Sequence, residues 1–264
     1  MKIQIMKQLS ILSAALAAGL FVAASAHAQV ISVEFDSNAL QAAAGSLSGG
    51  EVPETIWNSD TNSSAYVGAA TSSASDLTDS TDTVTTVSEN TVNEGTYSQY
   101  HTLPFSNPGD VDLFTYGYLG GYEAPETFTL NLTGLSPTDT FSLLLYVVGT
   151  ADSTEELSAT QGSNTYYFDS ATDASGNNPA STYIPATSTI VGTPTPVADY
   201  IEFDGLTGTT LTATVNTLTN GQDFNVAGFQ LVETAVPEPA TFWSLGLGLL
   251  ALVGFQRKRF FARS

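Results

Sequence analysis

Two stretches of this chain alternate apolar and polar residues with a period of two, which commits the fold to half-buried β-strands rather than helices. Phe128, Leu130 and Leu132 alternate with Thr127, Thr129 and Asn131, and Leu211, Ala213 and Val215 alternate with Thr210, Thr212 and Thr214. Val30-Ile31-Ser32-Val33-Glu34-Phe35, Tyr200-Ile201-Glu202-Phe203 and Val226 to Val232 read as further strands. The continuous apolar run from Phe141 to Val148 suits a central strand buried on both faces. Thr, Val, Tyr and Phe dominate these segments, as pleated packing prefers. No uninterrupted stretch from Gln29 to Ala235 carries a 3.6-residue stripe. Short strands separated by turns predict an all-β domain, an antiparallel β-sandwich of jelly-roll type, with little helix.

The punctuation agrees. Leu132-Thr133-Gly134-Leu135-Ser136 and Phe203-Asp204-Gly205-Leu206-Thr207 are near repeats, each placing a glycine where a turn between strands needs unusual backbone angles. Between Ser37 and Asn93 the chain is rich in Ser, Thr, Ala, Asp and Gly. Long loops are expected there, with short strands at Tyr66-Val67 and Val84 to Val87.

Charge divides the chain into three parts. The six Lys and Arg are Lys2, Lys7, Arg257, Lys258, Arg259 and Arg263, at the two extremes. Of the 26 acidic residues, one is Glu238, and the remaining 25 lie between Glu34 and Glu233. That acidic middle has no cationic side chain to neutralise phosphates, which excludes nucleic-acid binding. The formal net charge of −20 favours solubility. With no cysteine, disulfides and thiolate metal sites are excluded.

The ends carry targeting information. In residues 1–28, Lys2 and Lys7 precede an apolar stretch from Ile11 to Ala24, and Ala26 and Ala28 form an A-x-A exit. This predicts a signal peptide helix cut between Ala28 and Gln29. At the other end, residues 236–264 hold Val236-Pro237-Glu238-Pro239, an apolar run from Ala240 to Phe255, and Gln256-Arg257-Lys258-Arg259. Sixteen helical residues reach about 24 Å, short of a hydrocarbon core of about 30 Å, a gap that snorkelling Arg and Lys cover. The basic cluster is expected to stay cytoplasmic, leaving the acidic domain, residues 29–235, outside. The prolines keep the stretch before this transmembrane helix extended and open to processing.

The order of motif, apolar span and basic stop resembles the PEP-CTERM sorting signal of Gram-negative bacteria, a tail also catalogued as an ice-binding protein C-terminal domain. The resemblance implies recognition by an exosortase, a membrane transpeptidase-like enzyme, in cells that make exopolysaccharide. It makes Pro237, Glu238 and Pro239 the recognition motif and Arg257, Lys258 and Arg259 the retention signal. No LPxTG sequence precedes the tail. The opening at Val30 to Phe35, the pair Pro53 and Trp57, and the ending Asn225-Val226-Ala227-Gly228-Phe229-Gln230-Leu231 are similar to exported PEP-CTERM proteins of unknown function. The resemblance implies a protein anchored in the cytoplasmic membrane and then passed to the cell surface or extracellular matrix.

Chemistry in the acidic middle is sparse. His101 is its only histidine and no G-x-S-x-G elbow is present, so a hydrolytic triad is not expected. No organic cofactor is implied. Structural Ca2+ has candidate ligands in Asp76, Asp79 and Asp82, and in Asp110 with Asp112, although neither set matches an EF-hand loop. Tyr116, Tyr118 and Tyr122 lie in a glycine-aromatic segment and form a candidate sugar platform. These features point to a non-enzymatic structural or carbohydrate-associated surface module. The rival is a secreted glycosidase or lyase on the same scaffold, which requires two facing carboxylates in a cleft. Ice binding would require a flat, regular threonine array.

Overall fold

The computed structural model describes residues 29–36, 49–61, 70–93, 119–120, 127–149, 156–170, 183–192, 197–218 and 224–234. They contain thirteen strands and no helix. The strands are β1 (Val30–Asp36), β2 (Asn58–Thr61), β3 (Ala70–Ala74), β4 (Ser88–Asn93), β5 (Leu119–Gly120), β6 (Thr127–Thr133) and β7 (Thr140–Gly149). β8 (Glu156–Gln161), β9 (Asn164–Ser170), β10 (Val197–Ala198), β11 (Tyr200–Leu206), β12 (Thr210–Thr217) and β13 (Phe224–Thr234) follow.

They form two sheets. One runs β11-β7-β13-β1-β2, with β5 beside β13, and the other runs β10-β9-β8-β12-β6-β4-β3. The inner eight strands, β1-β13-β7-β11 and β6-β12-β8-β9, are paired antiparallel and cross between sheets as a jelly roll requires. Among the described strands, parallel pairing enters at the periphery, between β1 and β2 and between β9 and β10. The expected antiparallel sandwich therefore holds at the centre and becomes mixed at its edges.

Alternation dictates which side chains meet between the sheets. Phe128, Leu130 and Leu132 of β6 and Leu211, Ala213 and Val215 of β12 point inward against Leu143, Leu145, Ile201, Phe203, Phe229 and Leu231. Phe35 stacks at tilted angles on Phe128 of the opposing sheet and on Phe229 beside it, with ring centroids 5.8 and 6.0 Å apart. Tyr166 of β9 reaches Phe203 of β11 at 5.6 Å and closes the other flank. β7 is buried on both faces from Leu143 to Val147, as its continuous apolar run predicts. Ala28–Thr234 forms one compact unit, and this single core lies wholly within it, so the unit has what it needs to fold alone.

The two near repeats differ in their roles. Gly134 has φ +78° in the turn after β6, and a Cβ there would meet the Thr86 carbonyl oxygen at 2.0 Å. Gly205 has φ +69° but sits in a bulge inside β11, where the register against β7 shifts between Phe203 and Leu206. The turn between β11 and β12 uses Gly208 instead. The segment expected to be mainly loop contributes β2, β3 and β4. Val84 makes only an isolated bridge to Thr78, so the strand placed at Val84 to Val87 begins at Ser88. Tyr66-Val67 lies outside the described residues.

Candidate functional site

Each sheet has an outer face. On the β1-β13-β7-β11 side that face is covered. Gly49 to Trp57 crosses it as a strap, closed on itself by a hydrogen bond from the Glu54 amide to the Gly49 carbonyl, 3.3 Å. Beneath it lie Ser32, Tyr146 and Gln230, polar residues that are fully buried. The Glu51 amide donates to the Tyr146 hydroxyl at 2.8 Å, and that hydroxyl donates to Gln230 Oε1. Gln230 Oε1 also accepts from the Val52 amide at 3.2 Å, while its Nε2 donates to the Val52 carbonyl at 2.7 Å and to Ser32 Oγ at 3.0 Å. Tyr183 donates no apolar cover alone: its hydroxyl accepts from the Gly50 amide at 3.0 Å, and its ring packs on Tyr146 and Tyr200. Gly50 has φ +93°, and a Cβ there would meet Gln230 Oε1 at 2.6 Å.

Carboxylates gather beside this strap. Burial holds Glu202 above its ordinary proton affinity, reinforced by the neighbouring charge of Asp204, a hydrogen bond with it, and the charge of Glu51. The Tyr200 hydroxyl is pushed up to about 12 by burial and then by Glu51, Glu202 and Asp199.

The opposite outer face is built differently. Side chains that alternate with the core residues of β4, β6, β12, β8 and β9 point away from it. Register sets them in rows across the strands. One row runs Val92, Thr129, Thr214, Thr160 and Thr165. Beside it run Thr127, Asn216, Ser158 and Tyr167. On the other side run Ser73, Asn90, Asn131 and Thr212, then Ser88, Thr133 and Thr210. No charged residue stands in these four rows. Lateral hydrogen bonds fix several side chains: Thr212 Oγ1 to Asn131 Oδ1 at 2.9 Å, Thr127 Oγ1 to Asn216 Oδ1 at 2.8 Å, and the Thr160 and Thr165 hydroxyls at 3.0 Å.

Two of the rows end in a shallow depression at the β8–β9 hairpin, lined by Ser163, Asn164, Thr165, Tyr166, Tyr167 and Thr189. Gly162, with φ +58°, turns the hairpin. The Tyr167 amide donates to the Ser188 carbonyl at 2.8 Å and so fixes the loop that supplies Thr189. Beyond Thr189, Ile190 and Val191 stand 75% and 63% exposed. A ring flanked by hydroxyls, an amide and apolar side chains suits a ligand that is polar at its edges and apolar on its faces.

The sequence-based sites fall unevenly against this geometry. Gln29 is described, and its carbonyl accepts from the Glu233 amide at 2.8 Å, so the expected mature N-terminus leads directly into β1. Ala26, Ala28, Tyr116, Tyr118, Tyr122, His101, Asp110, Asp112, Pro237, Glu238, Pro239, Arg257, Lys258 and Arg259 lie outside the described residues, as do the expected signal and transmembrane helices. Asp79 is buried and organises its own loop: Oδ1 accepts from the Thr81 amide at 2.8 Å, Thr81 Oγ1 at 2.7 Å and the Thr83 amide at 3.0 Å. Asp76 and Asp82 take left-handed backbone conformations on either side. Among the described residues no group of three or more His, Cys, Asp or Glu is placed to hold a metal ion. Tyr166 and Tyr167 were not singled out by sequence, although Gln161-Gly162-Ser163-Asn164 before them is a turn signal.

Among solved structures, the chain is similar to a family 35 carbohydrate binding module from Clostridium thermocellum. The identity is 10%, covering 53% of this chain and 86% of that one, at a TM-score of 0.29. It is also similar to the CBM36-1 domain of a multidomain xylanase from the hindgut metagenome of Trinervitermes trinervoides, at 13% identity, 56% and 99% coverage and a TM-score of 0.28. A ruminal GH26 endo-beta-1,4-mannanase matches at 10% identity, 55% and 22% coverage and a TM-score of 0.26. Likeness at this level carries no functional argument. No curated protein matches the chain. Residues 235–258, by contrast, match the family model of the PEP-CTERM protein-sorting motif, so this chain carries the C-terminal signal of an exported protein sorted by an exosortase.

Proposed function

We propose that the chain is a non-enzymatic surface or extracellular-matrix protein whose β-sandwich associates with carbohydrate, delivered by exosortase sorting from the cytoplasmic membrane. The observation that carries this reading is the partly exposed, uncharged hydroxyl and amide face, two of whose rows end at Thr165 and Tyr167. Within a domain of strong negative charge, such a face favours a neutral polyhydroxylated ligand, which offers donors and acceptors at its edges and C–H groups on its faces. Exopolysaccharide is the ligand class that such a sorted protein would meet.

The test of binding is a glycan array probed with purified residues 28–234, run beside reducing-end assays for hydrolysis. Binding without product, lost in Tyr167→Ala, is expected. Product formation would favour the rival carbohydrate-active enzyme, for which the neighbouring carboxylates Glu51, Glu202 and Asp204 are the place to look. The test of sorting replaces Pro237, Glu238 and Pro239 with alanine, which extends helix propensity into the processing segment. Uncut protein retained in the cytoplasmic membrane is expected, and delivery equal to the parent would contradict it. Deleting Arg257 to Arg259 removes the cytoplasmic stop and is expected to release chains unprocessed.

A further inference from the structure

We infer that the threonine and asparagine rows are a track for an extended, uncharged polysaccharide chain that enters at the Tyr167 depression and crosses the strands. This deepens the carbohydrate reading and rests on it. Three observations carry it.

The first is continuity. Thr165 and Tyr167 line the depression and are also the last members of the two rows that run back through Thr160 to Val92 and through Ser158 to Thr127. Five strands at a spacing of about 4.8 Å give a path of roughly 19 Å, longer than one or two sugar rings need. The second is charge. The four rows hold no ionisable carboxylate although the chain has 26 acidic residues, and Glu156 and Asp169, which face each other across β8 and β9, mark the border. No Lys or Arg lies between Lys7 and Arg257 to attract a uronate or sulfated polymer. A neutral chain meets no repulsion on the track, whereas an anionic one is opposed by the whole domain.

The third is pre-organisation. The lateral bonds of Thr212 to Asn131 and Thr127 to Asn216 hold those side chains in place before any ligand arrives, so ordering them costs little on binding. The same geometry favours a polymer over an ice plane. Neighbouring strands rotate by roughly 20–25°, so rows five strands long leave any single plane, and a flexible chain can follow a twist that a crystal cannot.

Affinity of purified residues 28–234 is to be measured by calorimetry for matched disaccharides and hexasaccharides. These are neutral α- and β-linked glucans, mannans and galactans, with hexagalacturonate as the anionic probe. At least one neutral hexasaccharide is expected to bind about tenfold or more tightly than its disaccharide, and hexagalacturonate is expected not to bind. Thr129→Val with Thr214→Val and Thr160→Val keeps side-chain shape and removes three hydroxyls. It is expected to erase the length dependence, bringing the hexasaccharide down to the affinity of the disaccharide. Thr212→Val alone, beside the central row, is expected to cost less. Equal affinity for both lengths, with no effect of the triple variant, would overturn the track and leave the depression standing. Failure of every probe, or adsorption to ice without glycan binding, would overturn the track and the carbohydrate reading together. Tight binding of hexagalacturonate would overturn the charge argument and with it the track.

Discussion

The two outer faces of the sandwich use polar side chains to opposite ends. Under the Gly49 to Trp57 strap, Gln230, Tyr146 and Ser32 are fully buried, and Gln230 is saturated by the strap, Tyr146 and Ser32. On the other side, Thr210, Thr212 and Thr133 stand exposed, and Thr212 bonds laterally to Asn131. Burial makes the first set structural, because an unpaired buried donor or acceptor loses its full solvation. Exposure leaves the second set free to exchange water for ligand at little cost in stability. The comparison teaches that a polar face of a sheet is a candidate site where its side chains still reach solvent rather than lie sealed beneath another segment.

The largest expected effect comes from breaking the covered face. Gln230→Ala takes the acceptor from the Tyr146 hydroxyl and the partner from both Val52 backbone groups, and is expected to cost about 3 kcal/mol in urea unfolding. A loss below about 0.5 kcal/mol would mean that the strap is not bonded as described. Gly50→Ala is expected to cost about 2 kcal/mol, since it forces an L side chain into φ +93° and against the Gln230 amide. Limited proteolysis is expected to cut this variant within residues 49–57 first.

Partly buried carboxylates also set a pH dependence. Glu54, Glu202 and Glu233 are all raised above 4.5, chiefly by burial, with neighbouring acids adding for the last two. The folded state therefore binds these protons more tightly than the unfolded chain. The penalty is absent below 4.5, grows as pH climbs through the raised values and is complete above them. Thermal unfolding of residues 28–234 is expected to shift upward by a few degrees when the pH falls from neutral toward 5. Glu202→Gln is expected to reduce that shift. Above pH 10, Tyr200 adds a second loss, because it resists ionisation up to about 12 when folded. A Tm that is flat between pH 5 and 8 would contradict the desolvation of these groups.

The smallest effects belong to the open face. Asn131→Ala and Thr212→Ala are each expected to change stability by no more than about 0.5 kcal/mol, since both partners of that bond reach solvent. A cost near that of Gln230→Ala would show that the lateral bonds hold the sheet together, and the contrast between the faces would fail.

Sequence reading recovered the parts of this architecture in which one face is strongly apolar. β6 and β12 were legible from strict alternation, and β7 from its unbroken apolar run. β4 was hidden because its inward positions include Glu89 and Thr91, which carry no apolar signal, although both are buried. β8 and β9 were missed because their inward residues include the small Ala159, and because Tyr166 and Tyr167 adjoin and blur the period. The strap was invisible for another reason: its anchors, Tyr146, Tyr183 and Gln230, are 95 to 178 residues away from the strap residues they bond. The hydroxyl rows depend on register between strands, which alternation within each strand does not reveal.

The contrast between the faces is tested most directly by mapping amide and side-chain NMR shifts of residues 28–234 during titration with a neutral hexasaccharide that binds. Shifts are predicted at Thr129, Thr214, Thr160, Thr165 and Tyr167, with residues 49–57 and Tyr183 unmoved. Shifts confined to the strap and Tyr183, with the hydroxyl rows silent, would contradict the account.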